Sequence, residues 1–139
     1  MTELYQVRNK PEEKQSAIDA CRKFQQWLPE NDLTNRSVAA YKLGMLYLSE
    51  NKNTDAEEMF KETENLSKKC GYHPLHFRAW IQLGHIARKA GRDDDAINAY
   101  EEVLKLEPKH KSTIEVLANL YEAGGEKEKS LELRRKLTK

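Results

Sequence analysis

Long hydrophobic runs are the first thing this chain of 139 residues lacks. Its longest apolar-rich stretch, "VAAYKLGMLYL", is interrupted by Lys42 and is too short to cross a bilayer, so no membrane insertion is expected. The opening "MTELYQVRNK" has no apolar run of the kind a secretory leader carries. Charge of one sign is also missing. With 24 basic and 23 acidic residues interspersed, the net charge is +1, and no broad field exists to draw in nucleic acid or an anionic membrane. The two cysteines, Cys21 and Cys70, are too few for a disulfide framework; buried, reduced thiols in a soluble cytoplasmic protein are the expectation.

The signatures of chemistry are equally sparse. "GYHP", "AGR" and "AGGEK" match no phosphate-cradling loop, and no nucleophile stands beside a placed base. His73 and His76 form an H-x-x-H pair while His85 and His110 are scattered, without the further ligands that a metal site needs. The run Asp93-Asp94-Asp95 reads as the start of a helix rather than a cation loop. Lys68-Lys69 and "LRRKLTK" are basic, but the latter shares a helix with Glu126, Glu128 and Glu132 and reads as a solvated tail. No enzyme, no cofactor and no nucleic-acid partner are therefore expected.

What the chain does have is periodicity. Leu83-Gly84 has counterparts 40 residues upstream, Leu43-Gly44, and 34 downstream, Leu117-Ala118. Three residues before each Leu stand Ala40, Trp80 and Ile114; four after it, Tyr47, Ala87 and Tyr121. Eight after it come Asn51, Gly91 and Gly125, types that accept the left-handed conformation ending a helix. Thirteen after it come the small residues Ala56, Ala96 and Ser130, and Phe60 and Tyr100 follow four residues later. Ala17, Cys21, Phe24 and Pro29 repeat the offsets of Ala96, Tyr100, Val103 and Pro108, so residues 11–29 read as the second half of a repeat whose first half is worn down or missing.

Nearly every residue is expected to be helical, because no stretch alternates apolar and polar with period two. Pro11 followed by two glutamates starts a helix whose apolar face is Ala17, Ile18, Cys21, Phe24 and Leu28. Asn53 or Thr54, and Asp93, stand in cap position before second helices, and Thr54 with Glu57 forms a capping box. The series Phe60, Thr63, Leu66, Cys70 keeps helical spacing up to Gly71, where a lengthened helix ends, and Pro74 opens the next. Where two antiparallel helices cross closely, small Gly84 and Ala96 sit at the approach while Trp80, Leu83 and Tyr100 fill the spaces beside it. Each pair leaves an apolar flank, so pairs stack into a solenoid.

Trp80-x-x-Leu83-Gly84, with Ala96-x-x-x-Tyr100 and Pro108, resembles the tetratricopeptide repeat (TPR), across about Ser37 to Lys139 and the half repeat before it. The resemblance implies an all-α fold, an α-α superhelix of antiparallel helix pairs. It forms one domain over residues 1–139: a half repeat at 11–29, then repeats at 37–76, 77–110 and 111–139. Departures from the pattern are Ala87 for the usual Tyr, Ala40 and Ile114 for the Trp, and a 40-residue first repeat. Arg134 in the aromatic slot of the last repeat implies a terminal cap facing solvent.

A protein-interaction scaffold is the function so implied, binding a peptide or helix of a partner in a concave groove lined by the first helix of each repeat. The groove residues are then Val38, Tyr41, Met45 and Leu48; Arg78, Ile81, His85, Arg88 and Lys89; and Glu115, Asn119 and Glu122. Such a groove is apolar at one end, basic in the middle and acidic at the other, and suits a segment with an apolar anchor and an acidic neighbour. Packing against the half repeat is the competing role for Tyr41, Met45 and Leu48. The carboxylate clamp of chaperone-tail-binding relatives is not matched: Tyr41, Met45, Ile81, His85 and Glu115 occupy its places, and only Asn119 is of a suitable type. Two alternatives remain open: a structural protein self-assembling through the half repeat with Phe24 and Trp27, and a small secretion or assembly chaperone.

Overall fold

The structure, a computed structural model, describes residues 11–138. The front segment expected to hold a worn half repeat lies outside them. The described residues form seven α-helices, a closing 3-10 turn and no strand. They are α1 (Pro11–Trp27), α2 (Leu33–Ser49), α3 (Asn53–Cys70), α4 (His73–Lys89), α5 (Asp93–Leu106), α6 (Lys111–Ala123) and α7 (Lys127–Arg135). They fall into two compact units divided between His76 and Phe77. In the first, α1 lies against α2 and α2 against α3; in the second, α5 lies against α6 and α6 against α7.

The turn inside each pair is one device used three times. Asn51, Gly91 and Gly125 adopt φ of 60°, 79° and 84°. The next amide reaches back across the helix end: Lys52 N to Tyr47 O at 2.9 Å, Arg92 N to Ala87 O at 2.9 Å, Glu126 N to Tyr121 O at 2.8 Å. This left-handed closure satisfies carbonyls that a helix end otherwise orphans. Gly71, at φ 73°, closes α3 in the same way through Tyr72 N to Ser67 O at 2.9 Å.

That economy corrects the expected caps. The residue after the left-handed one already stands at the start of the next helix, so Lys52, Arg92 and Glu126 are the N-caps of α3, α5 and α7, none with a side-chain cap bond. Asn53, Thr54 and Asp93 lie inside the first turn, and the Thr54–Glu57 capping box does not form. Asp93, Asp94 and Asp95 keep their electrostatic role at the positive helix end. A side-chain cap exists elsewhere: Asp32 accepts from Asn35 N at 3.3 Å at the start of α2, four residues ahead of where a repeat beginning at Ser37 would put it.

Packing follows the small-against-large pattern. A methyl group on Gly44 would lie 2.8 Å from the Phe60 ring, and one on Gly84 would lie 2.6 Å from the Tyr100 ring. The helices of each pair approach that closely only because the glycines have no side chain. Ala56, Ala96 and Ser130 are all buried. In the second unit Ala87, Ala96, Tyr100 and Leu117 form a core, flanked by Leu104, Leu120 and Leu133. The face expected of α1 is narrower than its spacing implies. Ile18 and Leu28 are buried and Cys21 half-buried, but Ala17 is exposed. Phe24 and Trp27 are 48% and 77% exposed and stack on each other instead, ring centroids 6.3 Å apart. Its main neighbour is α2, with α3 reached only at the edge, where Gln25 Nε2 donates to Glu62 Oε2 at 3.5 Å, so a narrow stripe suffices.

Candidate functional site

The first helix of each pair spends one face on its partner and leaves another outward, and the twelve expected binding residues lie on α2, α4 and α6. On α2, Val38, Tyr41 and Leu48 are half-buried and Met45 is 40% exposed. The Tyr41 ring rests on Phe60 of α3, 5.6 Å between centroids, so part of its surface belongs to the α2–α3 contact.

In the second unit, Arg78, Arg88 and Lys89 of α4 are exposed, Ile81 and His85 half-buried. Nδ1 of His85 lies 2.7 Å from the Tyr100 hydroxyl of α5, with the rings edge to face at 5.7 Å. Burial, then the neighbouring Arg88 charge, holds the His85 pKa below its ordinary value, and burial raises that of Tyr100. At neutral pH both rings are therefore uncharged.

Glu115, Asn119 and Glu122 of α6 are exposed. Arg134 reaches from α7 to Asn119 Oδ1 at 2.8 Å and to Glu122 Oε2 at 2.9 Å. Glu115, Asn119, Arg134 and Leu137 line a cavity of about 290 Å³. Arg134 is exposed, as its place in the aromatic slot implies, but it is not idle there: it ties down two of the expected binding residues. Behind α6, the Tyr121 hydroxyl donates to Glu101 of α5; burial, and then this bond, push its pKa well up. Lys129 lies 5.4 Å above the Tyr121 ring.

These contacts share a rule that motif reading passed over. The residue seventeen after the repeat's Leu reaches the outward face of the first helix each time: Phe60 onto Tyr41, Tyr100 onto His85, Arg134 onto Asn119 and Glu122. The signal was present, since a hydroxyl and then a guanidinium in an aromatic slot each need a polar partner. Two other histidines, His76 and His110, serve the fold, while His73 is exposed. His76 Nδ1 sits 3.2 Å from Glu64 O, and His110 Nδ1 sits 2.7 Å from Thr113 Oγ1.

Among comparisons with known proteins, the tetratricopeptide repeat family model matches residues 35–109, just over half of the chain. Repeats of that family generally mediate protein–protein interaction, and their fold is a non-catalytic scaffold. No curated protein matches significantly. Among solved structures, a Podosopora anserina protein named for kinesin light chain, with nearly identical TPR-like repeats, is similar at 18% identity and a TM-score of 0.70, covering 94% of this chain and 68% of its own. That likeness shows the fold, an all-α protein of the TPR solenoid class. MamA also matches at 18% identity, covering 94% of this chain and 90% of its own, with a TM-score of 0.39. No helix among the described residues is long and apolar enough to cross a membrane.

Proposed function

The chain belongs to the tetratricopeptide repeat family, and from that premise we propose that it is an interaction scaffold holding a peptide or helix of a partner protein against the outward faces of its first helices. The observation that supports this reading most is on α4. Leu83, Gly84, Ile86 and Ala87 are buried and satisfy the packing of the helix. That leaves half-buried Ile81 beside exposed Arg78, Arg88 and Lys89, none with an ion-pair partner among the described residues. An apolar anchor point rimmed by unspent charge is what a bound segment needs. Both thiols are free, which fits the reducing cytoplasm in which we place the protein.

Selection from a displayed random-peptide library tests the proposal. Enriched sequences carrying an apolar anchor are expected, with binding lost in Ile81→Asp or Met45→Asp while helical circular dichroism is unchanged. Met45 is chosen over Tyr41 because the Tyr41 ring also packs on Phe60. No enrichment, or enriched peptides that bind both variants as well as the parent, removes the reading.

Exposed Phe24 and Trp27 favour a second reading, self-association through α1. Light scattering across a concentration series decides it: a mass that stays monomeric throughout leaves that pair of rings without this role.

A further inference from the structure

Tyr100 takes the position that Phe60 fills in the first pair, and the difference between them is one hydroxyl. Tyr100 is 1% exposed, so its phenolic hydrogen needs an acceptor inside the protein. Nδ1 of His85, at 2.7 Å, is that acceptor. A neutral imidazole has one acceptor and one donor nitrogen, so accepting at Nδ1 leaves the ring hydrogen on Nε2. The reverse arrangement, Nδ1–H donating to the phenol oxygen, would strand a buried O–H. Arg88 stands one helical turn on from His85, close enough to act electrostatically on both His85 and Tyr100. It is exposed and has no ion-pair partner among the described residues.

Resting on the docking role above, we propose that His85 Nε2–H and the Arg88 guanidinium form a subsite for a carboxylate side chain of the bound segment, with Tyr100 a positioning residue that fixes which imidazole nitrogen donates. Within the pair itself, one formal positive charge beside a neutral donor matches a monoanion. Lys89, exposed four residues on from His85, is a second cation on the same helix, so a phosphorylated side chain is the competitor that the test must exclude. The guanidinium supplies the charge and a planar fork of donors; the imidazole adds direction, since its single N–H is aimed by the bond on the opposite side of the ring.

The tautomer is read directly by long-range nitrogen–proton correlation of the His85 ring. Nitrogen protonated at Nε2 is expected in the parent, and a mixture of tautomers in Tyr100→Phe, a change that the first pair tolerates with Phe60. Binding is read with three blocked six-residue peptides: one with a single aspartate among leucines and alanines, its asparagine twin, and its phosphoserine counterpart. The aspartate peptide should shift the His85 and Arg88 side-chain resonances saturably and bind about tenfold tighter than its twin. Arg88→Gln should abolish that preference, and Tyr100→Phe should weaken only the aspartate peptide. A tautomer mixture in the parent, equal affinity of the twins, or tighter binding of a phosphoserine counterpart overturns the subsite. Response of α4 and α6 resonances without acid preference sinks the subsite alone; no response on either helix sinks the docking role with it.

Discussion

Replacing Gly84 with alanine puts a methyl carbon 2.6, 2.8 and 2.9 Å from Cε1, Cζ and Cδ1 of Tyr100. Carbon atoms rest at about 3.5–4.0 Å, so the ring must retreat by about 1 Å. It has little room to do so, being 1% exposed, packed among Ala87, Ala96 and Leu117, and tied through its hydroxyl to His85. Overpacking of this kind costs about 1–3 kcal/mol, and losing the hydroxyl bond costs about 1 more. Alanine in a helix interior returns about 1 kcal/mol relative to glycine. The net expectation is a destabilisation of about 2 kcal/mol, a fall of about 1 M in the urea midpoint. Trp80 fluorescence in a Trp27→Phe background reports this, because Trp27 belongs to the other unit. In a Tyr100→Leu background the same Gly84→Ala change should instead stabilise, by up to about 1 kcal/mol. The last pair provides a natural parallel, with Ala118 in the glycine place and Arg134 where the ring would be. If Gly84→Ala raises the midpoint while Tyr100 is present, the ring contact is not what requires a glycine.

Three other outcomes follow from the same coordinates. Asp32→Ala removes the side-chain cap of α2 and should cost about 1 kcal/mol in thermal or urea unfolding, whereas Thr54→Ala should cost well under that because Thr54 caps nothing. Gly91→Ala forces φ of 79° on a residue with a side chain, and although no atom lies within 4 Å of the new methyl, backbone strain alone should destabilise by about 1 kcal/mol. The folded-state pKa of His85 lies below its unfolded value of 6.5, so as pH falls through 6.5 the unfolded chain takes up a proton first and stability declines until the folded pKa is passed. Urea midpoints for the parent and for His85→Gln between pH 7.5 and 5 should therefore converge as pH falls, and parallel curves would count against it.

Much of the fold can be read from local patterns because its turns are local events. Asn51, Gly91 and Gly125 each close a helix with bonds among residues five apart, so the residue type alone marks the place. Gly71 likewise marks the end of the lengthened α3. The caps were less legible: a turn that merges the end of one helix with the start of the next leaves Thr54 and Asp93 inside the helix, however well their types suit a cap. The candidate site was legible as faces, since helical periodicity puts Arg78, Ile81, His85 and Arg88 on one side of α4. It was not legible as contacts.

Sequence by itself determined which residues are helical, where the chain reverses, and which positions stay small where helices cross, since each depends on neighbours a few positions apart and on a motif that recurs. Tertiary structure alone decided that α1 leaves Phe24 and Trp27 outward, that Arg134 holds Asn119 and Glu122, and that Tyr100 orients His85. Those facts hang on how close two helices cross. A shift of about an ångström in that crossing makes or breaks a hydrogen bond while leaving the periodicity of both helices untouched.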